Sequence, residues 1–181
     1  RPMGLFNKKK TLVGLDIGSS SIKAVEMKPS KGETWQLSTI GLEYLPQEAI
    51  VDGQIMDSTL VIDAIQRLFS EYRMKTTEVA TAISGSSVIV KKIQLPTMSE
   101  QELAESIHWE AEQYITFDIQ EVNLDYQVLD PRGPGGNMDI LLVAAKKEKI
   151  NDYQSVINQA GCNTVVMDVD AFAPVSYTHL T

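Results

Sequence analysis

The chain has 181 residues, 43% of them hydrophobic, which is enough to bury one sizeable core or two small ones. Its formal net charge of −8, from 24 acidic residues against 16 lysines and arginines, argues against non-specific binding to nucleic acid. Cys162 is the one cysteine, so an intramolecular disulfide is excluded and a reducing compartment is favoured. No run reaches the ~18 apolar residues of a membrane-spanning helix.

The segment at residues 12–27 reads LVGLDIGSSSIKAVEM. Two apolar runs flank the polar stretch GSSS at residues 18–21, a pattern that predicts strand, turn and strand. Its glycine allows close backbone approach, its amides and hydroxyls are donors, and Lys23 adds a cation, so the turn suits an anion. Asp16, at the end of the first strand, is placed to hold the hydration shell of a counter-ion.

Two interpretations of this turn remain open from the residues alone. It is neither a Walker P-loop nor a dinucleotide-binding loop, because both glycine patterns are absent and the turn leads into a strand. A serine-rich hairpin without a ligand has the same spacing as a phosphate-binding turn.

The rest of the chain alternates between strand and helix patterns. Residues 34–45 predict a third strand, so the first three strands form a meander. Helical spacing of apolar residues predicts a helix over residues 59–74, capped by Asp57 or Ser58. The remaining predicted elements are strands at residues 78–84, 88–95, 122–129, 139–145 and 162–169, a helix from the capping box at Ser99 to Tyr114, and a helix at residues 148–160 ended by Gly161.

Two segments resemble known families. DIGSSSIKAVE, at residues 16–26, resembles the first phosphate-binding hairpin of the actin-like ATPase superfamily. SGSSVIVKKIQLPTMSEQELAESIHWEAEQYITFDIQEVNLDYQVL, at residues 84–129, resembles the PilM family of type IV pilus assembly proteins, which is related to the cell-division protein FtsA. The likeness to PilM runs from Met3 to about Ala173.

The resemblance implies an α/β fold, the actin-like (ribonuclease H-like) first lobe, in which a mixed sheet with helices carries a small inserted α+β subdomain. Residues 11–81 and 162–173 are expected to form the first-lobe subdomain, and residues 82–161 the insertion.

The two ends of the chain carry separate expectations. Residues 1–10 are expected to be a solvated basic tail, too short for lasting attachment to an anionic membrane. Residues 174–181 are expected to be non-native, since Pro174 would interrupt the helix that should follow residue 172. The second lobe of the fold is expected to be missing.

The resemblance also implies a site and a role. The residues that match the nucleotide-binding positions of the superfamily are Asp16, Gly18, Ser19, Ser20, Ser21 and Lys23. They are expected to bind ATP, with Asp16 contacting magnesium through water. The implied protein is a cytoplasmic scaffold, peripheral to the inner membrane, that binds the N-terminal peptide of PilN and so reaches the inner-membrane pilus platform. Residues 88–93 and 106–114 are candidates for the peptide groove, and self-association is left open.

Catalysis is expected to be at most a weak ATPase activity. Hydrolysis requires charge stabilisation on both sides of the phosphates, and this chain supplies one wall. Two alternatives remain: a small-molecule kinase of the same superfamily fold, and a structural scaffold that binds no nucleotide.

Overall fold

A computed structural model describes residues 10–31 and 34–169. The described strands are β1 (Leu12–Ile17), β2 (Ser21–Pro29), β3 (Trp35–Tyr44), β4 (Ile50–Val51), β5 (Gln54–Ile55), β6 (Glu78–Ile83), β7 (Val88–Pro96), β8 (Val122–Asp130), β9 (Asn137–Lys146) and β10 (Asn163–Val169). The described helices are α1 (Ser58–Glu71), α2 (Glu100–Ala111) and α3 (Lys147–Gln159). None of these helices has the length and apolar character needed to cross a membrane.

The described residues divide into two compact units. The first extends to Ala82 and includes Asp152–Asp168, and the second is formed by Ile83–Asn151 and Val169. The division falls within α3, whereas the insertion predicted from the sequence extends to residue 161. The basic tail predicted at residues 1–10 lies outside the described residues except for the exposed Lys10, and residues 174–181 lie outside them altogether.

The first unit is built on a five-stranded sheet in the order β10-β6-β1-β2-β3. Strands β1, β2 and β3 form the predicted antiparallel meander, and β6 joins β1 in parallel, so the sheet is mixed as predicted. Helix α1 begins at the predicted cap: Asp57 Oδ1 accepts hydrogen bonds from the amides of Thr59 and Leu60, at 2.9 and 3.1 Å. Its buried residues, Val61, Ala64, Ile65 and Leu68, are in the apolar stripe that predicted it.

The two faces of this sheet differ in burial. On β1, Val13, Leu15 and Ile17 are buried, while the alternate residues lie on the opposite face. That opposite face continues across β2 onto β3, where Leu37, Ile40, Leu42 and Tyr44 are exposed by 49%, 60%, 38% and 74%. Asp16 and Lys23 lie on the same face, at the end nearest the β1–β2 turn.

The second unit contains a three-stranded antiparallel sheet in the order β7-β9-β8, with the β8–β9 hairpin that the sequence predicts. Helix α2 covers one face of it. Buried residues of α2 (Leu103, Ile107, Ala111) pack in one cluster with residues of the three strands that include Ile93, Val122, Ile140 and Leu142. The helix begins at the predicted capping box of Ser99 and Glu102.

Candidate functional site

The β1–β2 turn is closed by its own backbone. Ile17 and Ile22 form the last pair of the β1–β2 ladder, and the Gly18 amide donates a hydrogen bond to the Ser21 carbonyl at 3.0 Å. A Cβ at position 18 would lie 3.1 Å from that carbonyl oxygen, so a larger residue would push the carbonyl away by a few tenths of an ångström. The Ser20 carbonyl accepts a hydrogen bond from the Leu45 amide at 2.9 Å, so the turn is also anchored beyond the end of β3.

The turn presents hydrogen-bond donors to its surroundings. Ser19 and Ser20 are exposed, and their amides donate no hydrogen bond to any residue in the described ranges. Ser21 is buried, with 8% of its surface accessible. The exposed donors of the turn therefore lie on Ser19 and Ser20, whereas Ser21 is buried at the start of β2.

The two charged residues of the predicted site lie next to each other. Asp16 and Lys23 are directly opposed in the β1–β2 ladder, and Lys23 Nζ lies 3.1 Å from Asp16 Oδ2. The side chains are 57% exposed for Lys23 and 66% exposed for Asp16. An ion pair this exposed contributes little to stability, about 0 to 1 kcal/mol. Both groups are therefore free to exchange this contact for a ligand at small cost.

Tyr153 of α3 was not recognised from the sequence as a neighbour of this site. It is buried, and its hydroxyl donates a hydrogen bond to the Gly53 carbonyl at 3.1 Å. Burial, and after it the negative charge of Asp16, raises the pKa of the Tyr153 hydroxyl. Helical spacing with Val156 and Ile157 marks Tyr153 as a core position, but its proximity to Asp16 depends on long-range packing.

The surroundings of Asp16 bear on which ligand the site can hold. Among the described residues, no group of three or more histidines, cysteines, aspartates or glutamates is arranged to hold a metal ion. A lone carboxylate suits magnesium that keeps several waters and is bound mainly by phosphate. An apolar groove of about 270 Å³, lined by Leu12, Gly14, Val25, Met27 and Trp35, lies further along the same face and offers no polar group to a phosphate.

A glycine turn whose Ser19 and Ser20 amides and hydroxyls have no partner among the described residues, beside a lysine and an aspartate, has the chemistry of a phosphate site. It is carried by a mixed sheet in which an antiparallel meander is extended by a parallel strand, with helices in the same unit, as in the α/β fold that the sequence predicts. The chain belongs to the family described as type IV pilus assembly protein PilM, which matches residues 14–180.

Solved structures agree with this assignment. The chain is 32% identical to a structure described as a PilM–PilN type IV pilus biogenesis complex, with a TM-score of 0.78, covering 91% of this chain and 49% of that one. It therefore spans about half the length of that relative. The cytoplasmic domain of EpsL, an inner-membrane component of the type II secretion system of Vibrio cholerae, is 11% identical with a TM-score of 0.59, covering 91% of this chain and 59% of that one, which shows a shared fold alone.

Proposed function

We propose that the protein is a nucleotide-binding scaffold of type IV pilus assembly, in which the β1–β2 hairpin binds the phosphates of ATP. The observation that supports this is the turn itself. The amides of Ser19 and Ser20 are exposed and unbonded among the described residues, within a turn that Gly18 holds closed and beside an exposed lysine. A plain hairpin has no need for this combination of features.

Each residue of the hairpin has a distinct task in this proposal. The Ser19 and Ser20 amides and hydroxyls donate hydrogen bonds to phosphate oxygens, and the Lys23 ammonium neutralises part of their charge. Asp16 accepts hydrogen bonds from water molecules on magnesium. When bound, the magnesium–ATP complex supplies the polyphosphate charge to which these groups respond. The hydrogen bond from the Gly18 amide to the Ser21 carbonyl keeps the turn closed.

Binding rather than turnover is the proposed role of the nucleotide. Rapid hydrolysis needs a positioned water and charge stabilisation on both sides of the transferred phosphate. The hairpin supplies donors on one side. At most a weak ATPase activity is therefore expected, and no feature of the described residues favours the kinase alternative.

Calorimetric titration of the full-length protein with ATP and magnesium tests the nucleotide site. Lys23→Ala should lower the affinity at least about tenfold, since a charge-assisted hydrogen bond contributes about 1.5 to 3 kcal/mol. Lys28→Ala, which removes an exposed lysine from the far end of the same strand, is the matched control and should leave the affinity within about twofold. An unchanged affinity in Lys23→Ala, or no binding by the wild-type protein, would refute the phosphate site.

We further propose that the protein binds the N-terminal peptide of PilN on the cytoplasmic side of the inner membrane and so connects to the pilus platform there. The support is the similarity to the relative described as a PilM–PilN complex. Strand β7 is the element of the second unit that suits a peptide. Among the described strands it pairs only with β9, so its outer edge presents unpaired backbone groups to an extended chain.

Helix α2 is the second candidate for the peptide-binding surface. It packs on the face of the sheet opposite to the exposed side chain of Val90. Helix α2 packs on the face that carries Ile89 and Ile93, whereas Val90, exposed by 39%, points to the opposite face. The exposed side chains of β7 and α2 therefore lie on different faces of the sheet and do not line one common groove. The proposed surface is accordingly the outer edge of β7 together with Val90.

Binding of a PilN-derived peptide to the full-length protein, measured by fluorescence anisotropy, tests this surface. Val90→Ser should weaken binding by about tenfold, because it removes an apolar contact at the proposed edge. Leu129→Ser changes a similarly exposed apolar side chain at the end of β8, the opposite edge of the same sheet, and should leave binding unchanged. Equal losses in both variants would contradict a β7 site, and no saturable binding would contradict the partner itself.

A further inference from the structure

The contact between Asp16 and Lys23 has a consequence for what the hairpin can bind. The lysine that would meet a phosphate, Lys23, is paired with the Asp16 carboxylate 3.1 Å away. The two residues share one rung of the β1–β2 ladder, and the rung next to the turn, Ile17 with Ile22, carries no charge. The charged rung therefore presents nearly no net charge to an approaching anion.

We propose that this ion pair makes the hairpin selective for a metal-bound polyphosphate over the same polyphosphate free of metal. The inference rests on the proposed nucleotide-binding function and concerns the same site. A metal-free phosphate must take Lys23 from Asp16 and then lie beside an uncompensated carboxylate, which repels it. With a hydrated divalent cation on the phosphate, Asp16 would hold the water shell of the cation, and Lys23 would then be available to the phosphate.

The ion pair discriminates between metal-bound and metal-free polyphosphate without preventing binding, because both side chains are more than half exposed. Breaking an ion pair in water is cheap, so the partner exchange opposes binding only weakly when every charge finds a new partner. The discrimination comes from the metal-free complex, in which Asp16 is left beside phosphate with no cation. The expected preference of the wild-type protein for magnesium–ATP is about tenfold or more.

Removing each partner separately gives opposite signatures. Asp16→Asn frees Lys23 and removes the repulsion, so affinity for ATP in EDTA should rise about three- to tenfold while the benefit of magnesium disappears. Lys23→Ala should lower affinity for both forms but keep the benefit of magnesium, since Asp16 remains. A residue that merely contacted the hydrated metal would, when replaced, leave the metal-free affinity unchanged, and this gain of affinity therefore distinguishes the two roles.

The experiment is calorimetric titration of the full-length wild-type, Asp16→Asn and Lys23→Ala proteins with ATP, once with magnesium and once with EDTA. Glu71→Gln, which neutralises an exposed acid at the end of α1, controls for the general loss of negative charge and should not raise the metal-free affinity. Circular dichroism of each variant checks that the fold is retained.

The outcomes separate the two proposals. A rise in metal-free affinity in Asp16→Asn alone, together with the loss of the magnesium effect, supports the proposed selectivity. Wild-type binding of magnesium–ATP with no such rise, or with an equal rise in Glu71→Gln, overturns the proposed selectivity and leaves the nucleotide site standing. Absence of ATP binding by the wild-type protein and both hairpin variants overturns the nucleotide site, and the selectivity with it.

Discussion

At the scale of single residues, Glu26 connects the buried face of the β1–β2 hairpin to the segment that follows α1. It lies on β2, on the face opposite to Lys23, and is fully buried. Its Oε1 accepts hydrogen bonds from the amides of Lys75 at 2.5 Å and Thr76 at 3.2 Å, while Oε2 has no partner among the described residues. These bonds hold the segment that leads from α1 into β6, the strand that flanks β1 on its other side.

Replacement of Glu26 should therefore destabilise the protein in a graded way. Glu26→Ala leaves two backbone amides without their acceptor, in bonds that are partly buried, and should lower the free energy of unfolding by about 1 to 3 kcal/mol. Glu26→Gln keeps an acceptor oxygen for both amides and should lose much less stability, because both hydrogen bonds can still form. Urea unfolding followed by circular dichroism measures both, and equal losses in the two variants would contradict this role.

The sequence carried part of the information on these residues. Asp16 and Lys23 were placed at the turn by their spacing from Gly18, and their mutual contact follows from the ladder register once the turn length is known. Glu26 could have been placed too, since Ile22 and Ala24 alternate with it on the buried face. Its acceptor role could not, because Lys75 and Thr76 reach it only through the packing of α1 and β6.

At the scale of elements, α2 shows how strongly a local signal can define a boundary. The Ser99 amide donates to Glu102 Oε2 at 2.8 Å, and Ser99 Oγ accepts from the Glu102 amide at 3.3 Å. Met98, next to the cap, packs against the cluster that contains Leu103. Each of these groups lies within five residues of sequence, which is why the capping box was visible in the sequence.

The capping box yields a prediction for helix stability. Ser99→Ala removes the acceptor for the Glu102 amide and should lower the free energy of unfolding by about 1 kcal/mol. Ser99→Asp, which keeps an acceptor at the cap, should retain most of the stability. Ser70→Ala, at an exposed position of α1, is the control for loss of a serine hydroxyl and should change stability by only a few tenths of a kcal/mol. If the Ser99→Ala protein were as stable as wild type, water would satisfy the Glu102 amide as well as Ser99 Oγ does.

Pairings between distant elements were harder to predict than the elements themselves. Capping residues, glycines and alternation identified most strands and helices, as the β8–β9 hairpin illustrates. Strands β4 and β5 lie where the sequence predicts no strand, because they pair in a two-residue ladder that is too short to leave a periodic signal. The position of β6 beside β1 depends on contacts more than 60 residues apart, such as the Thr81 hydroxyl donating to the Leu15 carbonyl at 2.8 Å.

At the scale of the whole molecule, the two units respond to pH through different groups. In the second unit, hydrogen bonds from Ser99 lower the pKa of Glu102, and hydrogen bonds from Lys92 and Gln94 lower the pKa of Asp139. In the first unit, burial raises the pKa of the Cys162 thiol to about 11. Glu102 and Asp139 therefore make the stability of the second unit depend on pH in the acid range, and Cys162 makes the stability of the first unit depend on pH in the alkaline range.

The sign of each linkage follows from which state binds more protons. A carboxyl with a lowered pKa stabilises the fold above its unfolded value, about 3.9 for aspartate and 4.3 for glutamate, and this stability is lost as the pH falls through the lower folded value. A thiol with a raised pKa stabilises the fold below its unfolded value and loses that contribution as the pH rises towards about 11. Acid should accordingly weaken the sheet of β7, β8 and β9.

Asp139 is the group through which the acid effect can be tested. Its side chain is only 13% exposed, lies 2.7 Å from Lys92 Nζ and accepts a hydrogen bond from Gln94 at 2.8 Å, so it joins β9 to β7. Asp139→Asn should be less stable than wild type at pH 7, and the difference should close as the pH falls below the unfolded value of an aspartate, about 3.9, because the lowered pKa of Asp139 delays its protonation in the folded protein. Asp63→Asn, at an exposed position of α1, should show no such convergence. Urea unfolding across this pH range measures the gap, and hydrogen exchange of peptides from β7 and β9 assigns it to the second unit. A gap independent of pH would mean that Asp139 acts through packing and not through its charge.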